Sequence, residues 1–216
     1  MKKKETAKEP QIKTYTTIRR DSCESFEERK SVFISHAKRV TTEDEAKAFV
    51  ASVKKEYSDA RHNCWAYSLA ESNIARFSDD GEPQGTAGLP ILNVIKMSGA
   101  VDVAVVVTRY FGGILLGTGG LVRAYTEGAK RAVDAAEVVT YECYDEFSAE
   151  CSYSDYQKLG YELPRYGVKT DSVDFGANVF ITGAVKRTLT EELSEKIAEL
   201  GAGRIKFTVT GERFDA

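Results

Sequence analysis

The stretch VDVAVVVTRYFGGILLGTGGLVRAY, residues 101–125, constrains this chain more than any other. VDVAVVVT (101–108) is the most apolar run in the sequence, and such a run suits a strand buried on both faces. Five glycines follow between Thr108 and Tyr125, framed by Arg109 and Arg123. After them, Leu121, Ala124, Tyr125, Ala129, Ala132, Val133 and Ala136 recur at helical spacing, which predicts a helix over 121–137. A buried strand, a glycine loop and a helix form the geometry of an anion site, because glycines let backbone N–H groups face a ligand and the helix start adds partial positive charge. Arg109 and Arg123 could then make bidentate contacts to phosphate. The spacing is neither that of a P-loop nor that of a dinucleotide fingerprint, so a nucleotide cofactor is not expected. A compact glycine turn that packs helix against strand fits the same spacing equally well.

Two further segments carry chemistry-bearing residues. In RHNCWAY (61–67), His62 and Cys64 are two apart and share a face if the segment is a strand. They could act as base and nucleophile. With no third orienting group, Cys64 reads as readily as a small buried residue. In RFSDDGEPQGTAG (76–88), Asp79, Asp80 and Glu82 lie beside Ser78, Gly81 and Thr86. Three carboxylates could hold Mg²⁺ or serve as acid and base. Asp-Gly is equally a turn pair, and the spacing is not that of an EF-hand.

The remaining pattern gives an order of elements. Strands are expected at 14–19, 31–40, 64–70 and 74–78, with the charged DSCESFEERK (21–30) as a turn-like connection. Thr42 and Glu45 form a capping box for a helix over 43–57. LPILNVIKM (89–97) suits a short helix with Pro90 in its first turn. Near residue 138 the pattern changes to strand (140–152), helix (154–162), strands (168–175 and 178–186), helix (190–200) and strand (204–210). That β-α-β-β-α-β order is the ferredoxin-like unit. The fold class is therefore α+β in two domains, 14–138 and 139–216, after a tail over 1–13 expected to be disordered. Tyr153, Tyr156, Tyr161 and Tyr166 could stack bases, but core packing is the plainer reading.

The 216 residues suffice for one large or two small domains, and the net charge of -3 carries no global basic signature, so nucleic-acid binding would need a local patch. None of the four cysteines forms a C-x-x-C pair, which argues against a zinc knuckle and for reduced thiols in the cytoplasm. No run approaches the roughly 18 apolar residues of a membrane span, so no membrane partner is expected.

HNCWAY (62–67), FSDDGEPQGTAGLPIL (77–92) and VVVTRYFGGILLGTGGLVRAY (105–125) together resemble the IMPACT family, in family order, over roughly residues 17–135. The remainder resembles the C-terminal extension of its bacterial members. The resemblance implies a first domain similar to domain 2 of a small-subunit ribosomal protein and to EF-G domain IV, with a left-handed crossover, and a second similar to the ferredoxin-like domains of EF-G. It implies translational regulation, since eukaryotic members bind a co-activator of the amino-acid-starvation kinase. RNA or the ribosome is then the expected partner, a protein partner the alternative, and sequence-specific DNA binding is not expected. The implied surface is a cleft of His62, Asn63, Asp79, Asp80, Glu82, Thr86, Arg109, Tyr110, Gly112, Gly113, Gly117, Gly120 and Arg123. The expected function is non-enzymatic, with no cofactor. Its rival is a metal-dependent enzyme acting on a small anionic substrate, with Mg²⁺ at the acidic cluster.

Overall fold

The computed structural model describes residues 14–216, so the expected tail over 1–13 lies outside the described residues. The chain divides into two units, Tyr15–Thr140 and one centred on Tyr141–Ala216. The division falls inside a single strand, Val138–Cys151, rather than in a linker.

In the first unit the strands are β1 (Tyr15–Ile18), β2 (Ser22–Glu28), β3 (Ser31–Arg39), β4 (His62–Leu69), β5 (Ile74–Ser78) and β6 (Val103–Tyr110). The helices are α1 (Glu43–Glu56), α2 (Gly88–Met97) and α3 (Gly117–Ala135). Five strands make one sheet in the order β2-β3-β6-β4-β5, and every adjacent pair is antiparallel. β6 is central and its residues 103–109 are all buried. Alternation sends Val103, Val105 and Val107 into the core that α2 and α3 cover. Val106 packs on Val50 and Val53 of α1 across the other face. A strand buried on both faces reads as a continuous apolar run, and this one sits in an antiparallel sheet because helices cover both sides.

Two expectations change. The charged segment 21–30 is not merely a connection: Ser22–Glu28 forms edge strand β2, paired residue by residue with β3, and Arg29-Lys30 alone makes the turn. Phe26 supplies the reason, stacking on Phe33 at 5.1 Å with its glutamates left in solvent. The helix predicted from 121 begins at Gly117, so part of the glycine loop is its first turn. The capping box forms as read: Thr42 Oγ1 accepts from Glu45 N at 3.2 Å, and the Glu45 carboxylate reaches back to Thr41 N at 2.7 Å.

The second unit contains β7 (Val138–Cys151), α4 (Tyr153–Glu162), β8 (Lys169–Phe175), β9 (Val179–Lys186), α5 (Thr190–Gly201) and β10 (Lys206–Asp215). Its strands run β10-β7-β9-β8, all pairs antiparallel, the ferredoxin-like arrangement. Phe147, Ile181 and Val185 from the sheet meet Leu159, Leu193 and Ile197 from the helices. Tyr156 and Tyr166 pack against this core, while Tyr153 and Tyr161 are exposed.

Candidate functional site

The three motifs meet at one end of the first unit's sheet. In register, His62 of β4 and Phe33 of β3 lie on either side of Arg109 in β6. The loop 79–87 crosses this end between β5 and α2, and its carboxylates point to three different sets of partners. Asp79 Oδ1 accepts from the backbone N–H of Ala87 (3.0 Å) and Gly88 (2.8 Å), and Oδ2 from that of Gly85 (2.8 Å). This carboxylate ties down the start of α2, whose flanking Ala87 has no side chain to do so. Asp80 accepts from Lys54 Nζ (2.5 Å) and from Asn63 N (2.7 Å). Glu82 Oε1 accepts from Arg109 Nη1 (2.7 Å) and from the Tyr125 hydroxyl (2.8 Å).

The Glu82–Arg109 pair is buried, the two side chains being 4% and 7% exposed. Arg109 Nη2 also reaches Ser31 Oγ at 3.5 Å, and its guanidinium lies 5.7 Å from the Phe33 ring and 5.5 Å from the Phe111 ring. Its Nε has no hydrogen-bond partner among the described residues. Arg109 is therefore turned inward on a carboxylate.

His62 and Cys64 share a face of β4, as alternation requires, and each is occupied by the acidic loop. His62 Nδ1 lies 2.9 Å from Asp80 O, and Cys64 Sγ donates to Asp79 O at 2.9 Å. Burial pushes the Cys64 thiol well above its ordinary range, so a thiolate nucleophile is strongly disfavoured. Burial does the same to the Tyr125 hydroxyl. On the opposite face, Asn63 Oδ1 accepts from Thr108 Oγ1 at 2.6 Å. Thr86 is buried and its hydroxyl donates to Pro83 O at 2.6 Å. Tyr110 donates to Asp59 Oδ1 at 2.6 Å, and that bond to a carboxylate pushes its phenol up to about 12.

The glycine segment is placed differently. A Cβ on Gly112 would stand 1.9 Å from Lys30 C and O, so the loop and the β2–β3 turn touch backbone to backbone. This contact brings Arg29 and Lys30 beside the loop. Beyond it Phe111, Ile114 and Leu115 are exposed, Leu115 by 81%. Gly117, at φ +71°, opens α3, which has no side-chain cap and no acid in its first turn. Gly113 and Gly120 flank this opening. Arg123, one turn in, is exposed, and neither it nor Lys30 makes an ion pair among the described residues.

The structure thus sorts most of the expected residues into an internal frame (His62, Asn63, Asp79, Asp80, Glu82, Thr86, Arg109) and an exposed rim (Gly113, Gly117, Arg123), with Tyr110, Gly112 and Gly120 half-buried between them. Sequence reasoning did not find Tyr125, Ser31, Lys54 or Lys30. Tyr125 reads as one apolar position of a helix face, and nothing in the sequence shows that its hydroxyl meets Glu82. Among the described residues, no three His, Cys, Asp or Glu side chains are grouped so as to hold a metal ion.

Comparison with known proteins agrees with this architecture. The model of the Impact N-terminal domain matches residues 29–133, and that of a domain of unknown function (DUF1949) matches 150–204. The chain is 36% identical over 194 residues to IMPACT family member YvyE of Bacillus subtilis, covering 89% of each chain. It is 36% identical over 187 residues to IMPACT family member YigZ of Escherichia coli, covering 85% of this chain and 92% of that one. A crystal structure of a hypothetical protein aligns with a TM-score of 0.57 at 34% identity, covering 91% of this chain and 97% of the other. The chain belongs to the IMPACT family.

Proposed function

We propose that the protein is a non-enzymatic, translation-associated factor that binds structured RNA or a ribosomal surface through the rim at 111–123. The observation that carries this reading is the open start of α3. A helix of 19 residues begins on glycine, without a side-chain cap or a first-turn acid, next to Lys30 and Arg123, cations that make no ion pair among the described residues. Free N–H groups and the helix dipole favour an anion there, and the arginine adds a planar fork suited to phosphate. Exposed Phe111 offers a ring on which an unpaired base can stack. The family membership supports the association with translation.

The enzymatic alternative is supported less well. Asp79, Asp80 and Glu82 each spend their oxygens on backbone N–H groups, a lysine or an arginine, and point apart rather than toward one ion. His62 and Cys64 both contact backbone carbonyls of the same loop and do not form an activated pair.

The test is co-sedimentation with ribosomes and with a structured RNA across a salt series. Two phosphate contacts fewer in a Lys30→Ala/Arg123→Ala variant lower the salt slope by about 1.4–1.8. Circular dichroism of that variant should match the parent, because both side chains are exposed. Binding that keeps its affinity and slope in the variant refutes the assignment of the rim. No binding at low salt refutes the RNA reading.

A further inference from the structure

The apolar tip of the rim has no part in the phosphate contacts assigned above. Residues 111–116 form neither helix nor strand, and Phe111, Ile114 and Leu115 are 51%, 42% and 81% exposed. Leu116 turns the other way. It packs against the core, and a Cβ on Gly120 would stand 2.9 Å from the Leu116 Cβ. Leu116 thus anchors the loop on α3, as Gly112 anchors it on the backbone of Lys30. Phe111 is braced by the Arg109 guanidinium, 5.5 Å from its ring. Gly113 and Gly117, at φ +85° and +71°, bound the segment 114–116 with a turn at each end. Ile114 and Leu115 are therefore held in water by a fixed loop, and a contiguous apolar patch so held marks a contact surface. Lys30 stands at the first anchor, and Arg123 lies on the helix that follows the second. An apolar tip bracketed by cations complements a base step between its two phosphate rails.

We infer, resting on the RNA reading above, that Ile114 and Leu115 form a wedge that enters an interrupted base stack, so that the preferred RNA is a duplex carrying a bulge or internal loop. Apolar side chains inserted between base steps are an established way of opening a stack, and the opening itself is unfavourable. In a continuous duplex the whole of that cost falls on binding. An unpaired base has already lost its partner, so its step opens more readily. Phosphates on either side of the gap then meet Lys30, Arg123 and the start of α3. A free single strand has no fixed pair of rails for these cations to bracket. A lipid surface is a poorer match, because membrane attachment scales with buried apolar area and this tip offers two side chains.

The experiment titrates the full chain with two RNA hairpins of one stem, continuous in the first and carrying a single bulged adenine in the second. A fluorescent purine analogue occupies the pair beside the bulge position. The parent should bind the bulged hairpin at least roughly tenfold more tightly, and the analogue should brighten as it loses its stack. In Leu115→Ser the preference should fall to within about twofold and the brightening should vanish, while the continuous stem is bound as before. Leu115→Met, which keeps an apolar tip, should retain both signals. Circular dichroism should be unchanged, since Leu115 is exposed. Equal affinity of the parent for both hairpins, lost on Lys30→Ala/Arg123→Ala, would overturn the wedge and leave the RNA reading standing. A preference that survives Leu115→Ser would also overturn it. So would Leu115-dependent binding to anionic phospholipid vesicles without a preference between hairpins, which would make the occupant a lipid. No binding to either hairpin at low salt would remove the RNA reading and this inference together.

Discussion

Replacing Arg109 by alanine should cost the first unit about 3–5 kcal/mol, far more than an arginine at an exposed anion site would. The attraction between charges 2.7 Å apart is about 6 kcal/mol at an effective dielectric near 20. Most of that offsets the removal of both groups from water, so the intact pair stabilises little. Removing one partner is different. Glu82 would stay buried with only the Tyr125 hydroxyl to satisfy it, and the contacts over Phe33 and Phe111 would vanish, worth about 0.5–1 kcal/mol each. Against a typical domain stability of about 5–15 kcal/mol, the loss approaches unfolding. The assay is urea denaturation followed by Trp65, the single tryptophan, which packs against the α1 cores of the first unit. The companion variant Glu82→Leu/Arg109→Met removes both charges at similar volume and should recover most of the loss. A cost below about 1 kcal/mol for Arg109→Ala would place the pair in the class of exposed ion pairs and refute the reasoning. If the cost is as expected, lost RNA binding in Arg109→Ala reports on folding, and only Arg123 and Lys30 test the rim.

Asp79→Ala should release three backbone donors at the start of α2 and cost about 2–3 kcal/mol, with amide exchange of Gly85, Ala87 and Gly88 rising first. Asp79→Asn, which keeps one acceptor, should cost less, and equal costs would count against the capping role. Gly112→Ala should destabilise the unit by about 1–3 kcal/mol, because its Cβ meets Lys30 backbone rather than a side chain that can swing away. An unchanged melting temperature would show that the turn yields freely. In the second unit, the Lys158 ammonium and then the Ser152 hydroxyl hold the Asp155 carboxyl below its usual range. A depressed folded-state value contributes stability above the ordinary aspartate range near pH 3.9 and loses it as pH falls through the folded value. The melting temperature of the second unit should therefore drop more steeply with acid in the parent than in Asp155→Asn. Parallel pH profiles would rule this linkage out.

Much of the fold is legible because its period is strong. The β6 run is too apolar for anything but a doubly buried strand, and α3 keeps its spacing through Tyr125, Ala129 and Val133. β2 is not legible. SCESFEE carries one apolar side chain in its last four residues, and its strand identity depends on Phe26 finding Phe33, a tertiary contact that local propensity does not report. The start of α3 is missed for the opposite reason: glycines disfavour helix in isolation, yet here the helix continues back through them. At the site, sequence spacing groups the expected residues at one end of the sheet but does not give their orientation. Arg109 and Arg123 are alike as letters, and only burial separates an arginine that braces a loop from one that meets solvent.

The division between frame and rim gives one short signature two roles, stability in the frame and the proposed binding at the rim. Asp79 fixes α2, Asp80 joins Lys54 of α1 to the start of β4, and Glu82 joins β6 to α3. One loop of nine residues therefore touches all three helices and two central strands of the unit. Arg109 carries this frame outward, since its guanidinium lies against Phe111, the first residue of the exposed rim. Gly112 then pins the rim to the β2–β3 turn, leaving 113–117 and the open end of α3 held at both sides. A ligand contact supported in this way loses less conformational entropy on binding than one made by an unsupported loop. The inward-facing charges are then the means by which the outward-facing ones are kept in position.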